Sequence, residues 1–169
     1  AFYTGWVADT IDKAMAANGG LITKADLAAY QAKERPVVRG TFLGYEIVSM
    51  PPPSSGGTAL IEMLNMLEAL EIQKLPRLSA DAVHITAEAR RRAFLDRARF
   101  LGDPDFVDVP VSRLISKPYA EELARGINRA KASSSAELGK DIITPTETES
   151  DETTHFSTAD RNGMAVALT

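Results

Sequence analysis

Apolar and polar positions recur along this chain with a spacing that changes several times, and each change marks an element. From about Gly5 to Ala17, Trp6, Ile11 and Met15 fall near one helical face. Asn18-Gly19-Gly20 then supplies residues that tolerate positive φ, which predicts an amphipathic helix ending there. Thr23-Lys24-Ala25-Asp26 sets a hydroxyl three residues ahead of a carboxylate, a capping-box-like start for a short helix to about Ala32. From Pro36 the material is β-branched and aromatic: Val37, Val38, Thr41 and Phe42, then Leu43-Gly44, then Tyr45, Ile47 and Val48. This predicts a β-hairpin or two short strands. Pro51-Pro52-Pro53-Ser54-Ser55-Gly56-Gly57 reads as a loop, because prolines remove backbone donors and glycines permit unusual dihedrals. A helix follows from about Thr58 to Leu70.

Ser79 is placed to cap a long helix through about Leu101. Val83, Ala87, Phe94 and Leu101 supply its apolar positions, and Arg90, Arg91, Arg92, Arg97 and Arg99 crowd the remainder. Gly102-Asp103-Pro104 ends it, and another helix is expected over about Lys117 to Ile127. From there to Glu152 large apolar residues are scarce, so residues 130–152 are expected to be poorly packed. The last element is a hairpin, Thr154 to Ala159 and Met164 to Thr169, turning at Asn162-Gly163. The pattern as a whole predicts an α+β fold with helices on one side of a small, incomplete sheet. It stops in mid-strand, which suggests a longer parent.

Composition narrows the functional classes. The 169 residues are 44% hydrophobic and 25% charged, as in ordinary globular proteins. A net charge of -4 argues against a nucleic-acid partner, which would call for a surplus of Lys and Arg. The absence of cysteine excludes disulfides, thiolate metal sites and a Cys nucleophile, and two histidines make a His-rich metal site improbable. Pro51 to Gly57 lacks the Lys of a phosphate loop, Asp103-Pro104-Asp105 lacks the spaced ligands of a calcium loop, and His84 sits mid-helix among Val83 and Ile85. The run Arg90-Arg91-Arg92 reads as a solvated face near Glu88 and Asp96.

The residues that best fit chemistry are Asp151-Glu152-Thr153-Thr154-His155-Phe156-Ser157. A threonine pair simply suits a strand start. The alternative is cleavage before Thr153, after which its own α-amine, with an ordinary pKa of about 7.7–8.0, becomes the base beside the hydroxyl. His155 shares the strand face of Thr153 and would support it at most.

Six stretches, in order, resemble motifs of the gamma-glutamyltransferase (gamma-glutamyltranspeptidase) family. They are Phe2-Tyr3, Asn18 to Thr23, Asp26 to Tyr30, Met50 to Gly57, Leu101 to Val107, and Thr153 to Ser157. The resemblance implies a fragment of a four-layer αββα N-terminal nucleophile hydrolase fold, made as one self-cleaving precursor. Residues 1–152 would be the C-terminal part of the large subunit and residues 153–169 the first strands of the small one. It implies autocleavage between Glu152 and Thr153, and Thr153 as the nucleophile that carries the γ-glutamyl group of a glutathione-like donor to water or an amine. No cofactor and no metal are implied.

The implied partners are the γ-glutamyl donor and the remainder of both subunits. The implied compartment is periplasmic or extracellular. The family's substrate-clamping arginine, donor-holding side chains and oxyanion-hole glycines have no counterpart within residues 1–169. The isolated chain is therefore expected to be inactive and, with exposed strand edges, to self-associate. Two alternatives stand beside this: a related acylase acting on cephalosporins or poly-γ-glutamate, and a catalytically dead scaffold module.

Overall fold

The computed structural model describes residues 1–142 and 156–168. Helix α1 (Trp6–Asn18) closes on Gly19, whose φ of 70° is the left-handed value that glycine adopts without strain. Helix α2 (Lys24–Ala29) opens with the expected capping box between Thr23 and Asp26. It ends sooner than the sequence suggested, where Tyr30 leaves the helix and stacks on Tyr3 with ring centroids 5.7 Å apart. Asp9 pairs with Lys24, and the Asp12 carboxylate accepts from the Lys24 amide at 2.9 Å, which ties α2 to α1.

Strands β1 (Val38–Phe42) and β2 (Tyr45–Ser49) form the expected hairpin, antiparallel with Gly40 opposite Ile47. Leu43 and Gly44 both take positive φ, as a two-residue turn matched to strand twist requires. Helix α3 (Gly56–Ala69) lies on this hairpin. A Cβ on Gly40 would sit 2.5 Å from Ile61 Cγ2, so the missing side chain sets the helix-to-strand distance. Gly56 and Gly57 are thus the first turn of α3, and the irregular stretch stops at Ser55. Within α3, the bare Cα of Gly57 faces the Met50 carbonyl, 2.1 Å from where a Cβ would lie, so no side chain fits there.

Helices α4 (Ala80–Phe100), α5 (Val111–Leu114) and α6 (Lys117–Arg125) complete the helical layer, and Ser79 and Ser116 cap α4 and α6 as side-chain acceptors. The core joins α3, α4 and α6 through Ala59, Met66, Ala89, Ala93, Ala120 and Ala124. Alanines at the crossings let the helix backbones approach closely.

This reverses the expected orientation of α4. Val83 and Phe94 are 54% and 45% exposed, while Ala82, Ile85, Ala89 and Ala93 turn inward together with Glu88, Arg92 and Asp96. The large apolar residues misled because alanine supplies the buried stripe and the inward charges are paired.

Helix α7 (Ser135–Leu138) lies in the stretch expected to be poorly packed. Strands β3 (Phe156–Ala159) and β4 (Ala165–Leu168) form a second antiparallel hairpin, separate from the first among the described residues. The Asp160 carboxylate accepts from the Asn162 and Met164 amides at 2.8 and 3.0 Å across its turn.

Candidate functional site

The polar connector after α6 lies along α4 as a strap. Positions 84, 88, 91, 92, 95 and 99 recur at helical spacing and form one stripe of α4. Moving along it, His84 Nε2 meets the Asn128 carbonyl at 2.8 Å, and Glu88 receives the Ser133 amide at 3.0 Å and the Ser133 hydroxyl at 2.5 Å. Arg91 donates to the Ser135 hydroxyl, Leu95 approaches Gly139, and Arg99 grips Asp141 with two bonds of 2.6 and 3.1 Å while also donating to the Leu138 carbonyl. Strap and helix therefore run the same way and stay in step from residue 128 to residue 141.

Two buried charges anchor this arrangement. Arg92, only 6% exposed, donates to Glu88 Oε2 at 2.7 Å and to the Gly126 carbonyl at the end of α6, also at 2.7 Å. A cation there complements the partial negative charge of a helix C-terminus. Burial alone would raise the Glu88 carboxyl, but hydrogen bonds from the Ser133 hydroxyl, Arg92 and the Ser133 amide outweigh it and hold the group at about 2. The arginine run is accordingly not one solvated face. Arg92 is internal, Arg91 holds the strap, and Arg90 rests on the Phe94 ring. The expected poor packing holds for residues 130–141, none of which is buried, and what the sequence did not show is that polar contacts tether this stretch to α4.

A second buried cluster adjoins the far end of the strap. Tyr119 donates to Asp96 Oδ2 at 2.5 Å, Arg99 lies 3.8 Å from Asp96 Oδ1, and the Arg113 guanidinium covers the Tyr119 ring. Glu62 of α3 faces Asp96 and is pushed up to about 9, first by burial and then by the Asp96 charge. Glu62 Oε1 is buried and has no hydrogen-bond partner among the described residues. Burial, then the bond to Asp96, likewise raises the Tyr119 hydroxyl well above its ordinary value. Arg99 joins the two clusters, since it touches both Asp96 and Asp141.

The C-terminal end of α4 gathers two further segments. Arg97 donates to the Ser55 hydroxyl at 3.0 Å, linking α4 to the triple-proline stretch. Asp105 accepts from Arg35 at 2.8 Å and Lys33 at 2.6 Å, and these hydrogen bonds, that from Arg35 foremost, lower its carboxyl to about 2. Asp103 and Asp105 thus serve as anions for neighbouring cations. Among the described residues no group of three or more Asp, Glu or His is arranged to hold a metal ion.

Of the sequence-predicted site, Glu152 and Thr153 lie outside the described residues, as do Thr154 and His155. The described chain passes the strap's end at Asp141, stops at Ile142 and resumes at Phe156, the first residue of β3. The strap residues went unnoticed in the sequence. A signal was present nonetheless: Glu88 and Arg92 at i,i+4, with Arg99 two turns on, form a charged helical stripe followed by a serine-rich segment.

Comparison with known proteins gives a consistent result. The family profile described as gamma-glutamyltranspeptidase matches residues 1–169. A glutathione hydrolase proenzyme of Escherichia coli (strain K12) is 48% identical over 168 residues, covering 99% of this chain and 29% of that protein. An acylase ACY 1 proenzyme of Pseudomonas sp. (strain SE83) is 46% identical over 170 residues, covering all of this chain and 29% of its own length. The crystal structure of Helicobacter pylori gamma-glutamyltranspeptidase superimposes with a TM-score of 0.74 at 44% identity, over 89% of this chain and 43% of that one. The chain thus spans under a third of the curated relatives it matches.

Proposed function

The chain belongs to the gamma-glutamyltranspeptidase family, and from that premise we propose that it is the stretch of a self-processing γ-glutamyl-transferring precursor that contains the cleavage point. The observation that carries this is the family match, which runs unbroken through residues 152 and 153. Residues 1–152 are then large-subunit sequence and residues 153–169 the start of the small subunit.

In this reading the Thr153 hydroxyl oxygen attacks the Glu152 carbonyl carbon, and the peptide nitrogen leaves as the Thr153 α-amine, so an amide becomes an ester. Water hydrolyses the ester, returning the hydroxyl and giving Glu152 a free carboxylate. The same oxygen next attacks the γ-glutamyl amide of a glutathione-like donor while the new α-amine accepts its proton. The leaving amine departs with a proton, and water or an acceptor amine takes the acyl group from Thr153. The oxyanion donors and the groups that hold the donor belong to other parts of the precursor. A periplasmic or extracellular location, which rests on the family resemblance, completes the proposal.

A specific observation favours a second reading. Acylase proenzymes reach nearly the same identity as glutathione hydrolases, so an amide other than γ-glutamyl is the alternative substrate. The mature full-length enzyme should be offered a γ-glutamyl anilide and a cephalosporin side-chain amide side by side. The proposal predicts a kcat/KM for the anilide at least tenfold higher. Preference for the cephalosporin amide would establish the acylase reading. An intact Glu152–Thr153 bond in the expressed full-length protein would establish the scaffold alternative.

A further inference from the structure

We propose that α4 acts as a rail for self-cleavage, its stripe of His84, Glu88, Arg91, Arg92 and Arg99 holding residues 128–141 in step so that the Arg99–Asp141 clamp is a positioning device for maturation. The inference rests on the reading of Thr153 as the nucleophile of cleavage and deepens it. It adds residues that lie far from Glu152 and Thr153 in the sequence.

The geometry carries the argument. A connector needs no partners merely to cover distance, yet this one has a partner on α4 at nearly every turn, in parallel register, ending in a two-pronged Arg–carboxylate grip. The inner anchor is buried and the outer clamp is not: the Glu88 side chain is 1% exposed, the Asp141 side chain 57%. An exposed ion pair adds little to stability, so the Arg99–Asp141 pair does little for the fold. Its direction is another matter. Two parallel N–H···O bonds fix where the chain leaves the helix and which way it heads. Arg99 is itself held in place by Asp96, and Asp96 by Tyr119, so the clamp is set from the buried cluster.

Asp141 is the last clamped position before the scissile bond among the described residues, about 11 residues ahead of Glu152. Without it the last fixed point moves back to Leu138, whose carbonyl Arg99 also holds, and the separation grows to about 14. The effective concentration of two linked groups falls with roughly the 3/2 power of their separation, which gives about a 1.4-fold loss from length alone. Lost direction adds to this, because attack on the Glu152 carbonyl calls for a near-attack geometry.

The test uses the full-length precursor in pulse-labelled synthesis, following cleavage by gel and by intact mass. Asp141→Ala and Asp141→Asn leave the Arg99–Asp96 contact in place, and Arg39→Ala, which breaks the exposed Arg39–Glu46 pair on the hairpin, serves as control. The expected result is a cleavage rate three- to tenfold lower for both Asp141 variants and unchanged for the control. Turnover per cleaved molecule should stay within twofold of wild type, and the melting temperature of the uncleavable Thr153→Ala precursor should move by less than about 2 °C on adding Asp141→Ala.

Cleavage of Asp141→Ala at the wild-type rate would overturn the inference. So would a parallel loss of melting temperature and turnover, which would reduce the clamp to a structural contact. A wild-type precursor that is not cleaved before Thr153 would overturn the underlying reading as well, and that outcome is visible in the wild-type lane alone.

Discussion

Helix α3 meets its neighbours at one residue without a side chain, Gly57, and at one buried carboxyl, Glu62. At Gly57 a Cβ would meet the Met50 carbonyl oxygen and Val38 Cγ2 at 2.1 and 2.8 Å, so α3 reaches the hairpin only because that position is bare. Gly57→Ala is expected to lower the stability of the precursor by about 1–3 kcal/mol, as overpacking against backbone does. A shifted urea midpoint at unchanged slope would show it. Glu62 presents a different case, because burial and Asp96 raise its carboxyl to about 9. In that situation the native state holds a proton that the unfolded chain releases near 4.5. The Glu62 contribution is then complete below that value and is lost as pH rises toward 9, with a slope of at most about 1.4 kcal/mol per pH unit. Glu62→Gln keeps the shape of the side chain and removes the titrating carboxyl. Urea unfolding at several pH values between 5 and 9 should give a flatter profile for the variant and a higher midpoint than wild type at pH 8.5. An unchanged slope would mean that Glu62 does not carry the proton.

Among the elements, α4 shows how far a sequence can be read and where reading stops. Its cap at Ser79, its end near Leu101 and its length are local properties, written in a hydroxyl, a Gly-Asp-Pro and an uninterrupted run of helix formers. So are the hairpin turns at Leu43-Gly44 and Asn162-Gly163. The inward face of α4 is not local. Glu88, Arg92 and Asp96 look like surface residues until the strap and Tyr119 are brought to them, and large residues such as Phe94 look internal until alanines prove the better fit between three helices. The short helices at 111–114 and 135–138 escaped for a related reason, since one turn carries too few positions to show a period. The proposed nucleophile, Thr153, stands at the opposite extreme. It is suggested only by resemblance, because two threonines at a strand start have no distinguishing pattern. The strap also predicts an acid limb. The Glu88 carboxyl is depressed to about 2, so its contribution is present above 4.5 and is lost as pH falls through 2. Glu88→Gln should flatten that limb and, by leaving Arg92 buried without its anion, lower stability at pH 7 by about 3 kcal/mol or more. Unfolding curves at pH 2.5, 4.5 and 7 check both effects.

Over the whole molecule, large apolar side chains lie at the surface to an extent unusual for a self-sufficient domain. Leu21 is 92% exposed, Phe106 86% and Trp6 72%, and the chain spans 29% of the length of the Escherichia coli relative. The expectation that the isolated chain associates with itself follows directly. Light scattering at high concentration should give an apparent mass above 18.2 kDa, and a stable monomer would contradict it. On the proposed reading, in which the oxyanion donors belong to other parts of the precursor, the same chain should not turn over γ-glutamyl anilides.

The central claim concerns Glu152 and Thr153 in the full-length precursor, and one measurement reaches it: N-terminal sequencing of the small subunit from wild type, Thr153→Ala and Thr154→Ala. The account predicts a subunit beginning at Thr153 in wild type and in Thr154→Ala, and no cleavage in Thr153→Ala. A new terminus at residue 154, or normal processing of Thr153→Ala, would contradict it.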